Sequence, residues 1–282
     1  MIVEKINEFL TKENKSLEDG GKYLLKQEFA QLSGFSFDRQ FLSDRKESDG
    51  ELRFSSAGKC PRALAYGYHK FEANGKEIDS RGLRTFFMGD MTETMIVLLA
   101  KASGVPIFGY GLQQPKLSWK IGDKEIFGHP DGFVVDNGRI LNVEVKSMAS
   151  YSYAKFEKGD IDDSYIYQMN ANMKASGTEA CVYVAFNKDS SVIGETIVKR
   201  DEKVIKQIEE NLLSVINSTQ ISLPERPFEP NEEGFLPWNC LYCPFWGTCW
   251  KNAEKKLVGK AYRLKVDMAK EFELSSMGKT NE

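Results

Sequence analysis

Residues 128–146 read GHPDGFVVDNGRILNVEVK, the pattern of a β-hairpin. Phe133-Val134-Val135 is one apolar run and Ile140 to Val145 is the other. Asp136-Asn137-Gly138 is the turn between them, with Asn-Gly suited to positive φ. Side chains alternate along a strand, so Glu144 and Lys146 share one face while Val143 and Val145 share the other. Asp131 stands at the open end of the same hairpin, where it can converge with them. Two carboxylates and an ammonium on one surface suit metal-assisted hydrolysis. Hard oxygen ligands hold Mg²⁺ or Mn²⁺, and a lysine steadies the attacking oxygen or neutralises charge in the transition state. An E-x-K triplet alone is common among proteins, so the rest of the chain has to weigh it.

The 282 residues are enough for one substantial core, as a single large domain or a domain with appendages. No apolar run reaches membrane-spanning length, and the start carries acids rather than a signal-peptide pattern. A cytoplasmic protein with no membrane partner is the expectation. A formal net charge of −3 excludes a globally basic nucleic-acid binder, so any grip on DNA has to be local. One basic segment runs from Lys251 to Lys270, with a solvated helix face as its alternative reading.

Along the chain, short amphipathic helices are expected within residues 1–50, followed by a charged loop over 43–51. A helix with Pro61 in its first turn, capped by Ser55 or Ser56, runs through Tyr68. A strong helix spans Ser80 to Ala102, ended by Gly104. Strands follow at Ile107 to Gln113, Leu117 to Ile121 and Glu125 to Phe127, then the hairpin. Another helix covers about Asp162 to Ala175, strands cover Ala180 to Phe186 and Val192 to Val198, and Asp201 caps a helix through Ile216. After Pro224 the chain becomes rich in loops, and the tail past Leu274 is polar. The order of elements predicts an α/β or α+β fold with a mixed central sheet flanked by helices. The expected organisation is an N-terminal helical extension over 1–50, a core with the cysteines over 51–257, and a basic, then polar tail over 258–282.

Of five cysteines, Cys181 lies in an apolar strand, as a packed thiol does. Cys240-x2-Cys243-x5-Cys249 is a tight cluster among Trp238, Phe245, Trp246 and Trp250, and Cys60 lies far upstream before Pro61. In a cytosolic chain such thiols read as metal ligands rather than disulfides. Four thiolates fit tetrahedral Zn²⁺ or a 4Fe–4S cluster; the one-plus-three arrangement departs from the paired knuckles of zinc ribbons and favours the cluster. Either one would staple residue 60 to the C-terminal region and close a long loop.

Taken together, these motifs resemble the RecB-type branch of the PD-(D/E)xK nuclease superfamily. The likeness is to the iron–sulfur exonucleases represented by the fourth CRISPR-associated (Cas) protein family and the AddB nuclease domain. It covers roughly residues 51–257: one cysteine before the core, Asp131 and Glu144-x-Lys146 within it, a glutamine helix bearing Gln168, and C-x2-C-x5-C after it. The resemblance implies a restriction-endonuclease-like core with an iron–sulfur-stapled helical and loop region. It implies a Mg²⁺- or Mn²⁺-dependent exonuclease acting on DNA, with CRISPR adaptation or recombination proteins as partners. Asp131, Glu144, Lys146 and Gln168 would be catalytic, and Cys60, Cys240, Cys243 and Cys249 would hold the 4Fe–4S cluster. The metal would take Asp131, Glu144, the Val145 carbonyl and Glu93, which stands where relatives often carry a histidine in G-x-x-x-H. The family tyrosine four residues after the glutamine is Asn172 here, with Tyr165 or Tyr167 as possible substitutes. Lys59 and Arg62 are candidates for phosphate contact. Tyr151, Tyr153 and Trp246 are candidates for stacking unpaired bases, which would favour single-stranded ends. No phosphate-loop motif is present, so unwinding would need a partner. The competing expectations are a zinc-stapled endonuclease on the same core and a non-catalytic metal-cluster subunit of a helicase–nuclease complex that binds nucleic acid.

Overall fold

Asn137 and Gly138 take φ of +48° and +75°. That pair of left-handed residues gives a two-residue turn whose twist matches that of the strands it joins. The computed structural model describes residues 1–12, 17–44, 50–73 and 79–271, apart from the Asp19 side chain. The polar segment past Leu274 and most of the charged run 43–51 lie outside the described residues.

The helices are α1 (Ile2–Thr11), α2 (Asp19–Phe37), α3 (Pro61–Tyr68), α4 (Ser80–Ala102), α5 (Ser150–Phe156), α6 (Asp163–Ser176), α7 (Glu202–Ile216), α8 (Trp238–Leu241) and α9 (Trp246–Cys249). The strands are β1 (Ile107–Phe108), β2 (Leu117–Ile121), β3 (Lys124–Gly128), β4 (Gly132–Asp136), β5 (Arg139–Met148), β6 (Ala180–Asn187), β7 (Ile193–Lys199), β8 (Ala253–Val258) and β9 (Ala261–Val266). A π-helical turn, Asp38–Leu42, follows α2 directly.

One compact unit comprises Met1–Glu47, Leu52–Gly58 and Ile78–Leu212. Its centre is a five-stranded sheet in the order β1-β4-β5-β6-β7. Only β5 and β6 run parallel; the other neighbours are antiparallel. Period-two burial sorts the two faces. Val143, Val145, Val182 and Val184 pack with Ile96, Val97 and Ala100 of α4, and with Ile2, Val3, Ile6 and Leu32 of the first two helices. Cys181, Tyr183 and Ala185 turn the other way, onto Tyr153 and Phe156 of α5 and Met169 and Met173 of α6. The helices within residues 1–50 therefore share this unit's core. Glu195 of β7 accepts hydrogen bonds from the N–H groups of Ile2 and Val3 at 2.9 and 3.3 Å, which caps α1.

The second unit comprises Ser48–Glu51, Lys59–Glu77 and Leu213–Glu282. Its core gathers Leu236, Cys240, Trp250, Leu264 and Val266.

Three local expectations change. The predicted strand from Ile107 to Gln113 is only Ile107–Phe108, because Gly109 and Gly111 take positive φ and a 3₁₀ turn follows at Gly111–Gln113. The N-cap position of α3 is Cys60 rather than Ser55 or Ser56, which lie in a separate 3₁₀ turn, Phe54–Ser56. Most of the basic segment is no helix: β8 and β9 form a hairpin that turns at Gly259, where φ is +63°, and only its last residues, from Met268, are helical.

Candidate active site and thiol cavity

β5 outruns its hairpin partner. The β4–β5 ladder ends with Gly132 opposite Val143, while β5 stays paired to β6 through Met148. Residues 144–148 therefore have an open edge where β4 stops. Asp131 fills the first position of that edge with its side chain, as its Oδ2 accepts the Val145 N–H at 2.7 Å. A strand residue directs its N–H and C=O to the same side, so the Val145 carbonyl faces this edge as well. Val145 lines the cavity there.

Glu144 is 1% exposed and points to the α6 face. Its Oε1 accepts from the Lys146 ammonium and, at 2.8 Å, from Gln168 Nε2. Its Oε2 is buried without a partner. Burial, then the repulsion of Asp131, pushes the Glu144 carboxyl up to about 7. Asp131 is raised mainly by burial, against the lowering effects of Lys146 and of the Val145 N–H. Glu93, on α4, is raised well above the usual carboxylate range by burial, then by Asp131, Glu144 and Asp90. One Glu93 oxygen accepts from Gln114 Nε2 at 2.8 Å. Lys146 is held charged by Glu144 and Asp131 against the cost of its own burial.

The fold thus brings together Asp131, Glu144, Lys146, Gln168 and Glu93, which the sequence disperses over 76 positions from Glu93 to Gln168 in three elements and a loop. A cavity of about 670 Å³ lies over Glu93, Asp131, Val145 and Lys146. Tyr165 stands beside the ammonium, which is 5.3 Å from its ring centroid. Asn172, at the position where the family motif has tyrosine, is buried with its Oδ1 unpartnered. His129 is exposed and does not line the cavity.

Sequence reasoning passed over Asp90. It lines the same cavity and is held by Arg39 at 2.6 Å and by Gln40 at 2.9 Å, both from the π-helical turn. The signal was present, since Asp90 and Glu93 are three residues apart on one helix. Gln114, the partner of Glu93, had no comparable signal.

The four cysteines predicted to act together line one small cavity of about 30 Å³, with Tyr66, Arg226, Trp246 and Trp250. None is in a disulfide. Burial and then the neighbouring thiols push Cys240 up to about 12, and burial raises Cys60 and Cys243. The Phe245 N–H donates to Cys243 Sγ at 3.4 Å. Of the predicted DNA contacts, Arg62 is committed to the Pro224 carbonyl at 2.7 Å, Trp246 lines the thiol cavity, and Tyr153 is buried in the core.

Among the described residues, no set of three or more His, Cys, Asp or Glu side chains is arranged to hold a metal ion as it stands. The chemistry of the acidic site still suits a cation. Asp131 raises the proton affinity of both Glu93 and Glu144, each of the three carboxylates has one oxygen engaged by a protein donor, and Glu144 Oε2 is buried with nothing to bond. Four thiols lining one cavity are a donor set that either a tetrahedral ion or a cluster would take.

Fold and site together define a mixed α/β protein with an acid–amine–amide cluster at the open end of the parallel β5–β6 pair. No protein-family model matches the chain, and no curated protein matches it. Among solved structures it is similar to SSO0001, at 19% identity and a TM-score of 0.49, over 79% of this chain and 92% of that one. It is also similar to an alkaline exonuclease (LHK-Exo) from Laribacter hongkongensis, at 18% identity and a TM-score of 0.43, over 60% of this chain and 87% of that one. The same exonuclease in complex with dAMP matches at 17% identity and a TM-score of 0.43, over 59% and 86%. No helix among the described residues is long and apolar enough to cross a membrane.

Proposed function

We propose that this chain is a divalent-metal-dependent deoxyribonuclease that hydrolyses phosphodiester bonds at the cluster of Glu93, Asp131, Glu144 and Lys146. The observation that carries this reading is the buried, unpartnered Glu144 Oε2 among mutually repelling carboxylates. A site that served stability alone would pair that oxygen or leave it in water. Asp131, Glu144, Glu93 and the Val145 carbonyl are the residues to hold Mg²⁺ or Mn²⁺. The ion supplies Lewis-acid stabilisation of negative charge and acidifies water.

The protein's own groups do the rest. Lys146 keeps its proton and places positive charge beside the reacting phosphate. Gln168 and Lys146 share Glu144 Oε1, which leaves Oε2 directed away from both donors. The Val145 N–H fixes one Asp131 oxygen so that the other can serve as a ligand.

Cys60, Cys240, Cys243 and Cys249 are the residues to hold a 4Fe–4S cluster. Action on single-stranded DNA ends, and a place beside CRISPR adaptation or recombination proteins, rest on the motif resemblance. The test is degradation of labelled single-stranded DNA with Mn²⁺ by the native protein and by Lys146→Ala. Loss of hydrolysis with retained binding supports the nuclease. Binding without hydrolysis by the native protein favours the non-catalytic reading.

A further inference from the structure

The mouth of the acidic cavity carries the opposite charge from its floor. α4 turns Arg81, Arg84 and Met88 toward it, at spacings of three and four residues, with Glu93 deeper along the same helix. Lys188, just past the end of β6, stands on the rim as well. Its backbone N–H donates to the Met148 carbonyl at 2.9 Å, which fixes it beside the end of β5.

Arg81, Arg84 and Lys188 are exposed, and none of their side chains makes an ion pair or hydrogen bond among the described residues. The acids near them are differently placed. Asp189 accepts the Ser150 N–H at 2.8 Å, and Asp90 is bound by Arg39 and Gln40. Arg81 and Arg84 therefore stand at the rim without a charge partner among the described residues, and Lys188 stands there beside Asp189, in a chain whose formal net charge is −3.

Guanidinium groups bind phosphate oxygens in pairs, and an ammonium acts as a point charge. These three sit at the mouth, so they suit phosphates flanking the reacting one. The geometry points to a phosphate track. Arg81, Arg84 and Lys188 hold backbone phosphates of a single-stranded polynucleotide as it approaches the carboxylates. The track rests on the phosphodiesterase reading of the deeper site and names how that substrate is held.

The test is binding of a fluorescein-labelled twelve-residue oligothymidylate without divalent metal, by anisotropy over a range of salt. Native protein is compared with Arg81→Gln/Arg84→Gln and with the surface control Lys203→Gln/Lys206→Gln on α7. The arginine variant should bind about tenfold more weakly at low salt, with the log–log salt slope reduced by about 1.4 for two lost phosphate contacts. The control should match native protein. Equal binding by the arginine variant, an equal loss in the control, no binding by native protein, or tighter binding of a blunt duplex of the same length overturns the track. Mn²⁺-dependent hydrolysis in the same samples separates the two readings. Arginine-dependent binding without hydrolysis keeps the track and removes the nuclease; hydrolysis indifferent to the arginines does the reverse.

Discussion

Glu144→Gln should flatten the pH dependence of stability in the metal-free protein. Glu144 is 1% exposed, and its carboxyl is pushed from the ordinary 4.5 to about 7, first by burial and then by Asp131. The native state therefore binds this proton more tightly than the unfolded chain does. Stability from this group is fully present below pH 4.5 and is lost as pH rises through about 7. The full shift corresponds to about 3 kcal/mol. At roughly 2 °C per kcal/mol for a chain of this size, Glu144's share of the fall in Tm between pH 5 and pH 8 should be about 5 °C, added to falls of the same sign from Asp131 and Glu93, whose carboxyls are also raised. Lys146, raised above its ordinary value, stays charged throughout that window and adds no slope.

Calorimetry of native protein and Glu144→Gln across the same buffers isolates the effect. The amide imposes its own cost, since its nitrogen inherits the unpartnered position of Oε2, but that cost is independent of pH. Mn²⁺ should stabilise native protein more at pH 8 than at pH 5 and do little for the variant. A fall in Tm of equal size in both proteins would falsify the claim that this carboxylate is held in its place against repulsion.

Three further outcomes follow from particular positions. Asn137→Ala should cost about 1 kcal/mol in denaturant melts, because φ of +48° in the β4–β5 turn suits asparagine better than alanine; an unchanged midpoint contradicts the turn. Gly89→Ala should stabilise α4 by about 0.5–1 kcal/mol, since a Cβ there meets nothing within 4 Å, yet lower hydrolysis by narrowing the cavity that Gly89 lines. Greater stability with full activity would show the space is idle. Cys243→Ser should abolish iron and acid-labile sulfide in anaerobically purified protein; zinc at one ion per chain in native protein would replace the cluster with the tetrahedral alternative.

Much of the sheet was legible because its signals are local. Asn137-Gly138 marks a turn, alternation assigns Glu144 and Lys146 to one face, and β6 and β7 follow from their apolar patterns. The span Ser80 to Ala102 was legible from its apolar face and its stop at Gly104, whose φ is +79°. Failures came where tertiary context decides. Lys251 to Lys270 has helix-like charge spacing, yet pairs as β8 and β9, with Leu264 and Val266 buried on one side. The aromatic residues singled out for stacking were read by type alone, and burial separates Tyr153 from the exposed Tyr151. Within the site, the E-x-K face and Asp131 are readable from strand geometry. Asp90 is readable only from its spacing to Glu93 on α4, and Gln114 is not, because its role arises only when α4 and the loop after β1 meet.

The central claim is that Glu93, Asp131 and Glu144 share a divalent ion. A crystal soaked in Mn²⁺ and measured at the manganese absorption edge tests it most directly. The account predicts an anomalous peak about 2 Å from carboxylate oxygens of Asp131 and Glu144. A peak elsewhere, or none while those two carboxylates stay on Val145, Lys146 and Gln168, would contradict it.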